Sequence, residues 1–232
     1  MLQLRTQDSL SGGDYQWLKT KHHFPVDEQG NPAHEQLGCL VVWNDDEIAP
    51  HTGFAMHRHR DIEIITYVRE GTVRHEDDSG GRGEITAGNV QAISAGRGIR
   101  HSEYNPGDDT LKIFQIWLLP RLQGIDPCWA TKPFPNEDRA GNLVTLASGI
   151  EEDRNALPIA ADARVLGATL KVGHRIDYRI SKTRYGYLVS TRGGVIVNGH
   201  HLKPRDGIAI KDETLISIEA ADDAEIVFVD AG

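Results

Sequence analysis

The sequence predicts an all-β protein built from two β-barrel domains in tandem. Short apolar or alternating runs recur along the whole chain, turn-forming Gly, Asp, Asn or Pro residues bound them, and no long stretch shows helical periodicity. The 24 glycines and 10 prolines among 232 residues fit frequent turns. Many short strands separated by turns favour a sandwich or a jelly-roll barrel.

The first half contains strand-like runs that end at clear breaks. The apolar run that ends at residue 119 stops before Pro120, which cannot donate to a sheet ladder. Residues 77–81, Asp-Asp-Ser-Gly-Gly, predict the tip of a hairpin. The strands predicted here are 37–43, 63–68, 71–76, 90–94 and 111–119.

The second half repeats the strand pattern after a change in composition. Residues from 131 to about 142 are rich in Pro, Asn, Asp and Gly, which predicts a linker. We therefore expect a first domain at 1–131, a linker at 132–142 and a second domain at 143–232. The second domain has no His-x-His pattern and is predicted to lack metal ligands. Its predicted strands are 143–147, 163–170, 175–180, 185–190, 194–198, 207–210, 215–219 and 225–230.

Histidines in two predicted strands form a candidate metal site. Side chains at i and i+2 of a strand point to the same face, so His57 and His59 aim two imidazoles at one point. A second strand with His101 and Glu103 adds an imidazole and a carboxylate. Three neutral nitrogens and one oxygen suit a divalent first-row metal, and they leave two octahedral positions for other ligands.

The two elements together support the metal prediction. With 11 histidines in 232 residues, about 0.5 His-x-His pairs are expected by chance, so that pattern alone is weak. The glycine-rich run 94–100 leads into His101, and glycines allow the tight turns that bring short strands together. Glu63 shares strand parity with His57 and His59, so it stays open as an alternative carboxylate. We favour Glu103 because its register with His101 is tighter.

Two stretches resemble the pirin family of the cupin superfamily. They are residues 52–63, Thr-Gly-Phe-Ala-Met-His-Arg-His-Arg-Asp-Ile-Glu, and residues 94–103, Ser-Ala-Gly-Arg-Gly-Ile-Arg-His-Ser-Glu. Residues 43–46 and 105–106 are also similar. The resemblance covers most of residues 1–130 and extends more weakly into the second half. It implies two cupin (jelly-roll β-barrel) domains in tandem, a bicupin.

The resemblance also implies a cofactor and two alternative functions. It implies one divalent metal per chain, Fe(II) first and Mn, Ni, Co, Cu or Zn otherwise. Bacterial relatives resemble quercetin 2,3-dioxygenases, which open a flavonol with O2 and release carbon monoxide; the partners would then be a small aromatic substrate and O2. Animal relatives resemble iron-dependent, redox-responsive co-regulators that bind protein partners. The ligands implied are His57, His59, His101 and Glu103, and Glu103 would also accept the substrate's hydroxyl proton.

The other histidines and the candidate cleft residues give weaker signals. His22-His23 predicts a loop or cleft wall, and His200-His201 follows the hairpin signal Asn198-Gly199, which predicts exposure. The segment 17–24 has two lysines and a histidine pair, unlike most relatives. Histidines to which we assign no function are His51, His75 and His174. Candidates for an apolar cleft lining are Phe24, Phe54, Met56 and Trp43.

Charge and cysteine content limit the partners and the location. The net charge of −9 repels phosphate backbones, so we expect no direct nucleic-acid binding. Cys39 lies in an apolar run and is predicted to be a packing thiol; with Cys128 it makes no disulfide framework. We expect no signal peptide and no membrane segment, and therefore a cytoplasmic location.

Overall fold

The structure is a computed structural model that describes residues 1–26, 30–133, 137 and 139–232. In these residues it contains β-strands and one 3-10 turn, Gln7–Ser9, and no α-helix. The strands of the first half are β1 Leu2–Arg5, β2 Ser11–Asp14, β3 Leu18–His22, β4 Leu40–Ile48, β5 Gly53–His59, β6 Glu63–Glu70, β7 Thr72–Asp77, β8 Arg82–Thr86, β9 Val90–Ser94, β10 Ile99–Tyr104, β11 Leu111–Leu118 and β12 Cys128–Lys132.

The second half follows the strand pattern that its sequence predicts. Each predicted strand of this half has an observed counterpart within one or two residues of its ends. The strands are β13 Val144–Ser148, β14 Leu157–Pro158, β15 Ala163–Leu170, β16 Arg175–Arg179, β17 Tyr185–Arg192, β18 Val195–Val197, β19 His200–Leu202, β20 Gly207–Ile210, β21 Leu215–Ala220 and β22 Ala224–Ala231.

Each domain is a pair of packed sheets, which confirms the all-β tandem fold. The first domain combines a seven-stranded sheet, β12-β9-β6-β11-β4-β3-β2, with a four-stranded sheet, β5-β10-β7-β8. The second repeats this arrangement with β1-β20-β17-β22-β15-β13-β14 and β16-β21-β18-β19. The sheets of a pair do not close into one hydrogen-bonded barrel, so the fold is a cupin-like sandwich rather than a closed ring.

The two large sheets pack back to back and join the domains. Trp43 and Phe114 of the first domain share one buried cluster with Tyr187 and Val229 of the second. Strand β6 is therefore covered on both faces, by the small sheet on one side and the second domain on the other. This explains its continuous buried run, because a strand buried on both faces is apolar rather than alternating.

The small sheet of the first domain packs its inner face on the large one. Val73 and Ile85 of the small sheet share a buried cluster with Ile113 of β11. Strand β10 alternates between buried and exposed residues, and its buried positions include His101 and Glu103. Strand alternation therefore points both side chains into the space between the two sheets.

The predicted division into 1–131, 132–142 and 143–232 stays a prediction. One strand of the range 1–131 lies in a sheet of the second domain. Strand β1 pairs antiparallel with β20, so the start of the chain belongs to the large sheet of the second domain. Within the predicted linker, residues 134–136 and 138 lie outside the described residues, and Ala140 forms a bridge to Thr169.

Candidate metal centre

Three histidines converge where β5 pairs with β10. The antiparallel register places His101 directly opposite His57, and His59 lies two residues further along β5. The ring centroids are 4.6 Å apart for His57 and His101, 4.7 Å for His57 and His59, and 5.1 Å for His59 and His101. One ligand nitrogen from each ring lies within 4.8 Å of the other two, so the histidine part of the predicted site is brought together.

The protonation and hydrogen bonding of these rings suit a metal. Burial and the neighbouring His57 lower the pKa of His59 to about 4, and burial with the other histidines lowers that of His101 to about 3. Both rings are therefore neutral near pH 7, as a metal ligand must be. Neither ring nitrogen of buried His101 has a hydrogen-bond partner among the described residues. His57 Nδ1 donates to the Ala55 carbonyl at 2.8 Å, which leaves Nε2 available for a metal.

Glu103 lies beside this cluster and is held by the large sheet. Its Oε1 accepts a hydrogen bond from Thr66 Oγ1 at 3.1 Å, and its Oε2 accepts one from the Gln115 amide. Burial raises the pKa of Glu103 to about 7, and these two hydrogen bonds offset only part of the rise. The register shifts between His101 and Glu103, and the carboxylate is not among the mutually close ligand atoms. Glu103 as the fourth ligand stays a prediction.

Glu63 does not share the face of His57 and His59, so the prediction that its side chain points toward the metal site is wrong. Strand β5 ends at His59, and Asp61 adopts a φ of 48°, which breaks the alternation before Glu63 begins β6 in the other sheet. There its carboxylate faces the second domain and accepts hydrogen bonds from Ser94 Oγ at 2.6 Å and from the Ala160 amide at 3.1 Å. Its role in the structure is to join the two domains.

A fourth histidine lies behind the cluster, and sequence reasoning assigned it no function. His75 is fully buried opposite Glu103 in the β7–β10 register, and its ring centroid is 5.3 Å from that of His101. Its Nε2 is 3.5 Å from Asp77 Oδ2. The alternation of Val73, His75 and Asp77 along β7 is the sequence signal that could have placed it inward.

Asp77, the last residue of β7, accepts several hydrogen bonds. Burial alone would raise its pKa, but hydrogen bonds from Ser79, Gly81 and Trp129 lower it to about 2. The Trp129 indole donates to Asp77 Oδ2 at 2.6 Å. The carboxylate is therefore charged and fixed next to His75. The hairpin tip predicted at 77–81 is confirmed, since β7 and β8 flank it.

A cavity of about 290 Å³ opens on the cluster between the two sheets of the first domain. His57, His59 and Glu103 line one side of it. Most of the remaining lining residues are polar or aromatic. They come from β3, β4, β5, β11 and the segment before β3, and they are Tyr15, Leu18, Thr20, His22, Asn44, Asp46, Phe54, Gln115 and Trp117.

The predicted cleft residues are only partly correct. Phe54 lines the cavity, whereas Phe24 and Trp43 are wrong because both are buried in the cluster between the domains. Met56 is exposed on β5. Tyr15 and Trp117 line the cavity, and the sequence reasoning missed them.

The pairs His22-His23 and His200-His201 lie in different environments. His22 lines the cavity, as the cleft-wall prediction requires, but His23 is buried with its Nδ1 2.7 Å from the Tyr187 hydroxyl. His200 and His201 are exposed, and Asn198 and Gly199 have positive φ angles of 44° and 84°, as a type I′ turn requires.

Tandem cupin-like domains with a histidine cluster in the first define a bicupin. A family model described as Pirin matches residues 3–118, and one described as Quercetinase C-terminal cupin domain matches residues 145–231. A pirin-like protein of Caulobacter vibrioides is 54% identical over 231 residues, covering 100% of both chains. The chain belongs to the pirin family.

Proteins of Escherichia coli are similar in sequence and in structure. A quercetin 2,3-dioxygenase of strain K12 is 34% identical over 231 residues, covering 99% of this chain and 98% of the relative. The crystal structure of the bacterial pirin YhhW in complex with nickel(II) has a TM-score of 0.93 and 34% identity, covering 100% of this chain and 99% of that one. In the described part of the present chain, no helix could cross a membrane.

Proposed function

We propose that the chain is a metal-dependent dioxygenase that opens a flavonol-type ring with O2 in the cytoplasm. The observation that carries the proposal is the cluster of three histidines, of which His57 and His59 line a cavity of about 290 Å³. A volume near 300 Å³ is at the lower end for small-molecule sites. The activity named for the E. coli relative supports this choice of reaction.

His57, His59 and His101 would hold one divalent metal, with Glu103 as a fourth ligand. We propose Fe(II) as the native metal, with Mn, Ni, Co, Cu or Zn as alternatives, because imidazole and carboxylate ligands accept all of them. A metal bound there supplies Lewis-acid and redox chemistry for a substrate oxygen and O2.

Glu103 accepts the proton of the substrate hydroxyl in this proposal. A group that must both take up and release a proton needs a pKa raised above that of an ordinary carboxyl, and burial raises the pKa of Glu103 in the metal-free protein. The hydrogen bonds from Thr66 and Gln115 hold the carboxylate in one orientation. Both donors lie on the large sheet, so the base is fixed by strands rather than by a loop.

The aromatic side chains of the cavity would bind the flat rings of the substrate. Phe54 and Trp117 both line it, and the Trp117 ring lies 5.0 Å from that of His59. Aromatic faces bind planar rings through offset or edge-to-face packing. The cavity therefore offers an apolar surface next to the histidines and a polar one along β4 and β11.

Oxygen consumption by purified protein tests the proposal. The protein is loaded in turn with Fe, Mn, Ni, Co, Cu or Zn, and O2 uptake and carbon monoxide release are followed with a flavonol. We expect uptake and CO release in equal amounts, abolished by His57→Ala and retained in His200→Ala, which changes an exposed histidine instead. Absence of both with every metal would refute the dioxygenase and favour the alternative, an iron-binding, redox-responsive regulator that acts through protein partners.

A further inference from the structure

Asp46 is a buried carboxylate with no hydrogen bond and no ion pair in the part of the chain that the structure describes. It lies on β4 between Thr20 of β3 and Ile113 of β11, and it is 1% exposed. Its side chain lines the same cavity as the histidine cluster. Neither carboxylate oxygen has a hydrogen-bond partner among the described residues, and the hydroxyl of neighbouring Thr20 is not in hydrogen-bonding geometry with it.

The preceding residue shows the opposite arrangement. Asp45 points to the other face of β4, where it pairs with Arg69 and with Arg205 of the second domain, the latter at 2.5 Å. Among the described residues, the fold therefore supplies two ion-pair partners to one carboxylate and none to the next. An unpaired buried carboxyl group costs free energy, and such groups in native proteins concentrate at functional sites.

The two sides of the cavity come from different sheets. The lining residues His57 and His59 lie on β5 of the small sheet, whereas Asp46 lies on β4 of the large one. A ligand between them can contact both at once. The electrostatic environment is consistent with a polar contact. Burial, helped by the nearby carboxylates of Asp45 and Glu103 and opposed by Thr20 and Arg69, raises the pKa of Asp46 to about 7.

We propose that Asp46 hydrogen-bonds a substrate hydroxyl across the cavity from the histidine cluster, and so selects planar aromatic substrates with at least two hydroxyl substituents. One substituent meets the metal centre and the other meets Asp46. This inference rests on the proposed function and names its substrate class: polyhydroxylated flavonols rather than flavonols with a single hydroxyl. A site built to bond a hydroxyl discriminates strongly against the analogue that lacks it, because its polar group is then left unpaired.

Binding of flavonols measured without O2 tests the role of Asp46 in substrate binding separately from turnover. Ni(II)-loaded wild type, Asp46→Asn and Asp46→Leu are titrated with quercetin and with 3-hydroxyflavone, which has only the hydroxyl meant for the metal. We expect quercetin to bind the wild type more tightly, and Asp46→Leu to weaken quercetin binding by about tenfold or more while changing 3-hydroxyflavone binding little. Because Asp46 makes no hydrogen bond to any described residue, neither variant should melt below the wild type.

Asp45→Asn is the matched control. It changes the adjacent carboxylate, so it should lower the melting temperature and leave the preference for quercetin intact. Unchanged quercetin binding in Asp46→Leu, or an equal loss for both flavonols, would overturn the role of Asp46 alone. Failure of the wild type to bind either flavonol would overturn the proposed function, and the substrate class with it.

Discussion

His57 and His101 are direct cross-strand partners in the small sheet of the first domain, and their imidazole centroids lie 4.6 Å apart. The pairing of β5 with β10 therefore determines the geometry of the cluster. This pairing brings together residues that are more than forty positions apart in the sequence. A slip of one residue in this register would turn the histidines to opposite faces.

Glu103→Gln and Glu63→Gln should have different effects. Glu103 lines the cavity, so Glu103→Gln should abolish turnover and weaken metal retention. Glu63 faces the second domain, so Glu63→Gln should keep the metal and lose about 1–3 kcal/mol of stability through its bonds to Ser94 and Ala160. Metal content, turnover and melting temperature are compared side by side. The reverse ranking would assign the ligand role to Glu63.

His75→Leu should weaken metal binding without removing a ligand. His75 lies between His101 and the charged Asp77, where it can orient the His101 ring. Loss of such an outer contact costs about 10–100-fold in metal affinity. Competition with a chelator of known affinity measures this, with His51→Ala as the control because His51 is exposed. Equal affinities for the two variants would show that His75 only fills space.

Asp45→Asn should destabilise the junction between the domains. Asp45 is fully buried between Arg69 and Arg205, and removing one partner of a buried ion pair costs about 3–5 kcal/mol. Denaturant unfolding measures the loss. Asp126→Asn, which breaks an exposed pair with Arg97, should change stability by less than about 1 kcal/mol. Similar values for the two variants would contradict the structural role of Asp45.

Asp46→Asn should stabilise the metal-free protein more at about pH 8 than at about pH 5. The pKa of Asp46 is raised from 3.8 to about 7 in the folded protein. Between these values the folded state keeps the proton that the unfolded chain releases, so the wild type loses stability as pH rises through this interval. Asparagine does not titrate in this interval, so the variant does not lose stability in this way. Melting temperatures of both proteins across this pH range test it, and an equal difference at both ends would contradict it.

Strand alternation predicted the histidine cluster because its three members lie within regular strands. The same rule failed for Glu63, since parity does not continue across the bend at Asp61. Local patterns carry no information about such a bend or about the sheet in which the next strand lies. The pairing of β1 with β20 was not predicted for the same reason.

The polar side of the cavity was not predicted because it lies on a strand with an unusual composition. The predicted strand ended at Trp43, whereas β4 continues through Asn44, Asp45 and Asp46 to Ile48. In the sequence these polar residues interrupt an apolar run. In the strand, alternation points Asn44 and Asp46 into the cavity and Asp45 toward its ion-pair partners. Aromatic content alone could not show that Trp43 packs against a second domain.

We propose that one metal binds per chain through His57, His59 and His101. Elemental analysis of purified protein, after reconstitution and removal of free metal, tests it most directly. We predict one equivalent in the wild type and in a His200→Ala, His201→Ala double variant, and none in a His57→Ala, His101→Ala double variant. Two equivalents per chain, or metal retained after the loss of His57 and His101, would contradict the account.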